Sequence, residues 1–312
     1  LEDRVTFMYE LLAAPAEKFF DPSERIYWGY LLSALIIASA AVSYQERRFK
    51  PLNRLRRLLS ASYWFNKSTL YDVFLMVVNT IMRLTLLIPL FGSHVAVTVL
   101  VGGFLQDNFG DAPSIEFSWI WIAIAFSFSY LILDDLSRFL LHYCMHNVEF
   151  LWYFHKTHHS ATTLTPLTIF RVHPVESILY FVRRLVVFGF VTGVFIWLFS
   201  SKLTGLQILG VDMFGFLFNL AAANLRHSHI WISFGNLEKI FISPAQHQIH
   251  HSVGSNHFNM GSIFSFWDRL AGTFLLSGEK RELTFGIQSD DRKRKQTKSE
   301  VNSEDGVVEQ YS

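Results

Sequence analysis

The chain has one cysteine, Cys144, in 312 residues. That scarcity excludes a disulfide framework, a cysteine-rich zinc module and an iron-sulfur cluster, each of which needs several thiolates. Charge is also scarce: Asp, Glu, Lys and Arg make up 17% of the residues, against roughly 25% in an ordinary soluble domain, so a soluble single domain is disfavoured. The body of the chain is poorer still, because residues 279–312 hold 15 of the 53 charged side chains. A formal net charge of +1 excludes a strongly basic surface for nucleic acid. No signal-peptide pattern, internal repeat, C-x-x-C-H haem motif or dinucleotide glycine fingerprint is visible.

What fills the space is apolar. Residues 26–44 carry no charge and are about as long as the ~20 residues a helix needs to cross a bilayer. They are followed by Arg47, Arg48, Lys50, Arg54, Arg56, Arg57 and Lys67 against a single acid, Glu46, the pattern of a cytoplasmic juxtamembrane segment. Further spans are expected at 68–91, interrupted by Asp72 and Arg83, and at 115–133. Residues 93–105 are apolar but short and contain Gly102 and Gly103, which predicts a re-entrant or interfacial segment. Residues 178–200 and 206–223, parted by a polar break, read as a membrane hairpin. The expectation is therefore an all-α, multi-pass membrane protein with four to five transmembrane helices. Residues 1–133 form an N-terminal membrane region, 134–278 a functional region that includes the hairpin, and 279–312 a charged tail too polar to order itself. Counting crossings places 134–177 and 224–278 on the cytoplasmic face.

Thirteen histidines then stand out. His142 and His146 lie four apart in HYCMH, so a helix sets both on one face. His155, His158 and His159 in HKTHH and His247, His250 and His251 in HQIHH share the spacing H-x-x-H-H. A lone histidine in an apolar protein is usually structural, and His94 is read that way. Clustered imidazoles without a metal would each need partners for both ring nitrogens at the membrane edge, where an unmet polar group costs roughly 1–3 kcal/mol. Metal binding removes the difficulty: one nitrogen coordinates and the other donates to a carbonyl or carboxylate. Eight cluster histidines exceed what one zinc takes and favour a dinuclear centre. H-E-x-x-H is absent, so a zinc hydrolase lacks its usual base, and redox iron with dioxygen is the better chemical match.

These motifs resemble the sterol desaturase and fatty acid hydroxylase superfamily, membrane di-iron oxygenases marked by H-x-x-x-H, H-x-x-H-H and a second H-x-x-H-H. The resemblance runs from about Asp134 to Phe274 and includes LWYFHKTHHSATTLTPLT, RVHP, LRHSH, SPAQHQIHHS and NMGSIFSFWDRLAGTF in the family's order. It implies two iron ions, with zinc as a substitute in purified protein, and hydroxylation or desaturation of an unactivated carbon in a lipid or sterol-like substrate. It adds His173 and His227 to the eight cluster histidines as ligand candidates. An H-S-N motif of the family reads here as His227, Ser228 and His229, so either His227 or His229 supplies the ligand, and His257 is a further neighbour of the site.

Around the ligands, Glu149, Arg171 and Glu176 are candidates either to orient imidazoles or to form interfacial ion pairs. Asp134 and Asp135 read as acids ending a span, and Asp268 as a support for the segment that closes the site. Phe126, Phe128, Phe150, Phe154 and Phe170 read as packing and lipid contacts. Electrons are expected from a separate ferredoxin- or cytochrome-type reductase system, and the host is a bacterial inner membrane or an endoplasmic reticulum. A zinc-dependent membrane lipid hydrolase and a metal transporter are the competing readings; a transporter would need its ligands in mid-span.

Overall fold

The computed structural model describes residues 2–46, 60–111, 117–199, 207–208 and 211–287. Most of the basic segment after the first span, the polar break of the hairpin and the tail beyond residue 287 lie outside the described residues. The fold is helical apart from a minimal antiparallel pair, β1 (Gln207–Ile208) and β2 (Val211–Asp212). The main helices are α1 (Glu2–Glu17), α2 (Trp28–Glu46), α3 (Lys67–Met82), α4 (Val95–Phe109), α5 (Trp119–Asn147), α6 (Glu149–His159), α7 (Pro174–Phe199), α8 (Met213–Phe218), α9 (Pro244–His251) and α10 (Phe266–Ala271).

Four stretches are long and apolar enough to cross a bilayer, Trp28–Gln45, Lys67–Phe109, Trp119–Asn147 and Pro174–Phe199, and the protein is an integral membrane protein. The second of them is interrupted twice. A π-turn at Arg83–Leu87 follows α3, and Pro89, which has no N–H to return to Thr85, lies just beyond it. Gly92 then takes a positive φ of 65° and ends that helix before α4 begins.

The segment expected to be re-entrant is α4, and it runs beside α7 along its whole length. His94 and Val97 face Gly189, Thr98 and Val101 face Gly193, and Trp197 donates to the carbonyl of Gly110 (3.1 Å). Gly189 and Gly193 form a G-x-x-x-G stripe. In lipid there is little hydrophobic gain between helices, so close backbone approach of this kind carries the association. On its other side α7 packs on α5 through Ile122, Phe126, Val191 and Phe195, with Phe126 and Phe195 edge to face at 5.4 Å.

The return arm of the hairpin is shorter than predicted. Helix α8 runs on through a π-turn (Asn219–Ala223) to Arg226, roughly 21 Å at 1.5 Å per residue, too little to cross a ~30 Å core unaided. It lies against α2, where Ser33 donates to the carbonyl of Leu220 (2.7 Å) and Ala38 packs on Leu225 and Ile230.

Helix α5 is 29 residues long, about 43 Å, so it outruns the hydrocarbon core and carries His142 and His146 on its last turns. There it meets a cap built from α6, a 3₁₀ turn at Pro166–Phe170, α9, α10 and their loops. The two described flanks of the basic segment reach the same cap: Gln45 donates to the carbonyl of Trp231 (2.7 Å) and Tyr63 to that of Leu164 (2.6 Å). Residues just past 279, assigned by composition to the tail, are partly ordered on the cap. Val253 donates to Thr284 (2.9 Å), Ser252 bridges Phe285, and Leu283 packs against Trp231, Ala245 and Ile249, which supplies the apolar burial that composition alone discounted.

A Cβ at Gly193 would lie 2.8 Å from both the Thr98 carbonyl and Val101, whereas one at Gly103 meets nothing within 4 Å. Gly193→Leu is therefore expected to destabilise the protein by about 1–3 kcal/mol through overpacking, and Gly103→Ala to be neutral or slightly stabilising. Thermal unfolding in detergent checks both.

Candidate metal centre

Nine histidines converge into two groups, His142, His146, His155, His159 and His250 in one, His158, His227, His247 and His251 in the other, each with its ligand atoms within 4.8 Å of one another. Helix geometry explains the split. In H-x-x-H-H the first and last histidines are four apart and share a face, while the middle one is turned aside. On α6, His155 and His159 serve the first group and His158 the second; on α9, His247 and His251 serve the second and His250 the first. Each motif thus contributes to both groups. Helix α5 completes the first with His142 and His146, and the loop after α8 completes the second with His227. His142 and His158 have 9% exposure, more than any other member of their groups, so each group is most open at that ring.

The tautomers are fixed from outside. Nδ1 of His142 donates to the carbonyl of Met260 (2.7 Å), Nδ1 of His250 to that of Phe258 (2.7 Å), Nδ1 of His158 to that of Arg171 (3.3 Å), and Nδ1 of His155 to a carboxylate oxygen of Glu176 (2.9 Å). Burial, reinforced by neighbouring imidazoles, pushes protonation of His158 down to about 3, and that of His159, His227, His247, His250 and His251 well below the ordinary histidine range. These rings are neutral at pH 7. In His142, His155 and His250 the proton sits on Nδ1, so each Nε2 is a bare lone pair.

Those lone pairs point at one another. Nε2 of His142 lies 3.1 Å from Nε2 of His155 and 3.2 Å from those of His146 and His250. In the second group His227, His247 and His251 keep Nε2 separations of 3.1–3.2 Å. Between His142 and His155 and between His142 and His250, where both protons sit on Nδ1, such contacts are repulsive without a cation between them. For metal–nitrogen bonds of about 2.0–2.1 Å, neighbouring ligand nitrogens sit roughly 3.0–3.4 Å apart, so the donors fit a metal ion in each group. Nδ1 of His159, His247 and His251 is buried with no hydrogen-bond partner among the described residues, and for them Nε2 is again the atom that faces the group.

The remaining sequence candidates fall elsewhere. His173 accepts from the backbone N–H of Val175 (3.1 Å), packs on Phe154 and belongs to neither group. His229 is exposed, with its ring edge against Tyr63 (4.5 Å), and His257 packs on Phe258 (4.0 Å). His94 packs edge-on against Phe188.

The supporting shell was only partly visible in the sequence. Glu176 orients His155. Arg171 offers its carbonyl to His158 and is clamped by its side chain, which donates to Thr157, Ser160, Ser68 and, at 2.9 Å, to buried Asp72. Asp72 was legible only as a break in an apolar run, although a buried acid in such a run is itself a signal of function. Asp268 receives the N–H groups of Met260 (2.7 Å) and Gly261 (2.8 Å), fixing the loop whose Phe258 and Met260 carbonyls hold His250 and His142. Gly261 is required there, because a Cβ would stand 2.6 Å from Asp268 and 2.7 Å from the Phe264 carbonyl. Asp135 accepts from Ile263, Phe264 and Trp267, tying the same loop to α5. Glu238, unremarked in the sequence, accepts from Ser233, Ser243 and Ser277 and so anchors Ser243, the N-cap of α9.

Residues 127–273, which contain all nine histidines, match the model of the fatty acid hydroxylase family. Over this stretch, just under half of the chain, it is similar to the fatty acid hydroxylase family. Among curated relatives, alkylglycerol monooxygenase of Homo sapiens is 27% identical over 150 residues, 47% of this chain and 30% of that protein. Ornithine lipid hydroxylase OlsE of Rhizobium tropici is 26% identical over 149 residues, 46% of this chain and 40% of that protein. Sphinganine C4-monooxygenase 2 of Arabidopsis thaliana is 29% identical over 158 residues, 48% of this chain and 55% of that protein. The matched stretch thus spans well under two thirds of each relative. No solved structure matches the chain.

Glu176→Gln, which removes the charge behind His155 but keeps its shape, is expected to weaken metal binding about 10–100-fold. Titration of metal-free protein with Fe²⁺ or Zn²⁺ measures it.

Proposed function

We propose that the protein is a membrane-bound di-iron oxygenase that hydroxylates or desaturates an unactivated carbon of a lipid or sterol-like substrate, with dioxygen and externally supplied electrons. The observation that carries this reading is the pair of adjacent, buried groups of converging imidazole lone pairs at the end of α5. Two irons held there supply dioxygen activation; for hydroxylation the balance is substrate C–H, O₂, two electrons and two protons giving the alcohol and water.

The chain's own residues do the rest. Nine histidines hold the metals, and the Nδ1 donors of His142, His155, His158 and His250 fix those four rings before any metal arrives. The burial of both groups excludes bulk water. Because α5 rises directly from the bilayer, a lipid reaches the groups laterally without leaving the membrane. Residues 134–278 are the catalytic region of this reading, and the electrons come from a separate ferredoxin- or cytochrome-type reductase system. The cap shares its side of the membrane with the flanks of the basic segment, which supports a cytoplasmic placement, in a bacterial inner membrane or an endoplasmic reticulum.

Metal analysis of detergent-purified protein is expected to give two irons per chain and a spectrum that changes on reduction and exposure to dioxygen. Stoichiometric zinc that persists after iron reconstitution, with no lipid oxidised, would replace this reading with hydrolysis. His158→Ala or His250→Ala is expected to abolish lipid oxidation with most protein still inserted, and His94→Ala to leave it near wild type.

Cys144 is exposed and lies near the end of α5, between His142 and His146, so it reports the side the cap occupies. A membrane-impermeant maleimide is expected to label it in inverted vesicles and not in right-side-out ones; the reverse pattern places the cap outside.

A further inference from the structure

Four arginines, Arg25, Arg138, Arg183 and Arg226, gather beside the histidine groups with too few carboxylates to balance them. Asp134 pairs with both Arg183 (2.8 Å) and Arg138 (3.2 Å). Asp135 accepts from three N–H donors of residues 263–267 and also acts on Arg138 and Arg226, so Asp134 and Asp135 are shared among the four guanidiniums. Arg226 is 3% exposed, donates to the carbonyl of Ile242 (3.0 Å), and leaves its Nε buried with no partner among the described residues. Arg25 and Arg226 approach the same aromatic ring, Phe218, at 5.7 and 4.6 Å from its centroid. Arg25 therefore stands close to a like charge, and it feels Arg138 as well, with Asp134 as the opposing acid.

The cluster abuts the metal centre. Arg226 immediately precedes His227, and Arg138 lies one helical turn before His142, roughly 6 Å along α5. Arg25 and Arg226 both act electrostatically on His227, and Arg138 acts on His142. Metal cations in the histidine groups would make the surplus of positive charge larger. A guanidinium does not relieve such a surplus by losing its proton, and its planar fork matches the oxygens of a phosphate or carboxylate. Relief must come from an anion, and at the membrane edge beside a lipid-accessible centre the available anion is a headgroup.

We propose that Arg25, Arg138 and Arg226 seat the anionic group, phosphate or carboxylate, of an amphiphilic lipid substrate and so present a carbon near the headgroup, rather than one at the far end of the tail, to the metal centre. The word substrate rests on the oxygenase reading; the anion seat does not.

The test is calorimetric titration of the full chain in neutral detergent with octyl phosphate, octanol and inorganic phosphate. Saturable binding of octyl phosphate is expected, weakened tenfold or more by Arg25→Gln and largely kept by Arg25→Lys, with octanol insensitive to both. Arg25 is only half buried, and unchanged metal content in Arg25→Gln would show that the fold is intact. Equal affinity for inorganic phosphate would overturn the lipid source and leave a free-anion site. Binding unaltered by Arg25→Gln would overturn the seat. Lipid oxidation without octyl phosphate binding defeats this proposal alone, while Arg25-dependent binding in iron-loaded protein that oxidises no lipid defeats the oxygenase reading alone.

Discussion

Mutual repulsion between imidazole lone pairs is the constraint on which the rest of this structure depends. Nε2 atoms 3.1–3.2 Å apart, three of them stripped of their protons by Nδ1 donation to Met260, Glu176 and Phe258, hold a geometry that no hydrogen bond among them explains. It is kept by everything around it. The carbonyls come from a loop pinned by Asp268 and Asp135, the carboxylate from the first turn of α7, and α6 is locked to α3 through Arg171 and Asp72. Buried polar groups satisfied on one side only are costly, so the outward hydrogen bonds and the inward-facing nitrogens are two halves of one arrangement that fits a metal ion.

The membrane helices supply rigidity more than chemistry. Helix α5 extends beyond the hydrocarbon core, and α7 is held against α4 by the Gly189 and Gly193 stripe and against α5 by interlocked aromatics. In a lipid environment these contacts, together with satisfied backbone groups, define helix positions where hydrophobic burial does not. The clustered histidines therefore sit at the boundary between the apolar spans and a polar cap, with the arginine cluster at the same boundary.

How much of this was legible varied with the locality of the signal. The spans at 26–44 and 115–133 were readable because a run of apolar residues needs no partner to declare itself. The segment at 93–105 was legible as a short apolar helix, but not its seat against Gly189 and Gly193, whose role exists only against Val97, Thr98 and Val101. The charged stretch after 279 was read as tail because composition does not register that Leu283 and Phe285 find a cap to pack on. Glu176 and Asp268 were among the candidates, but Asp72 and Glu238 were not, since each acts on residues distant in the chain.

The sequence by itself determined the helical membrane class, the three histidine boxes and the neutral nitrogen chemistry they offer, because spacing along a helix sets which side chains share a face. Only the tertiary structure decided how the boxes are shared: His158 to one group and His250 to the other, His227 inside, His173 and His229 outside. That partition depends on how α5, α6 and α9 cross and on which carbonyl each Nδ1 meets, and both are long-range facts that no local pattern encodes.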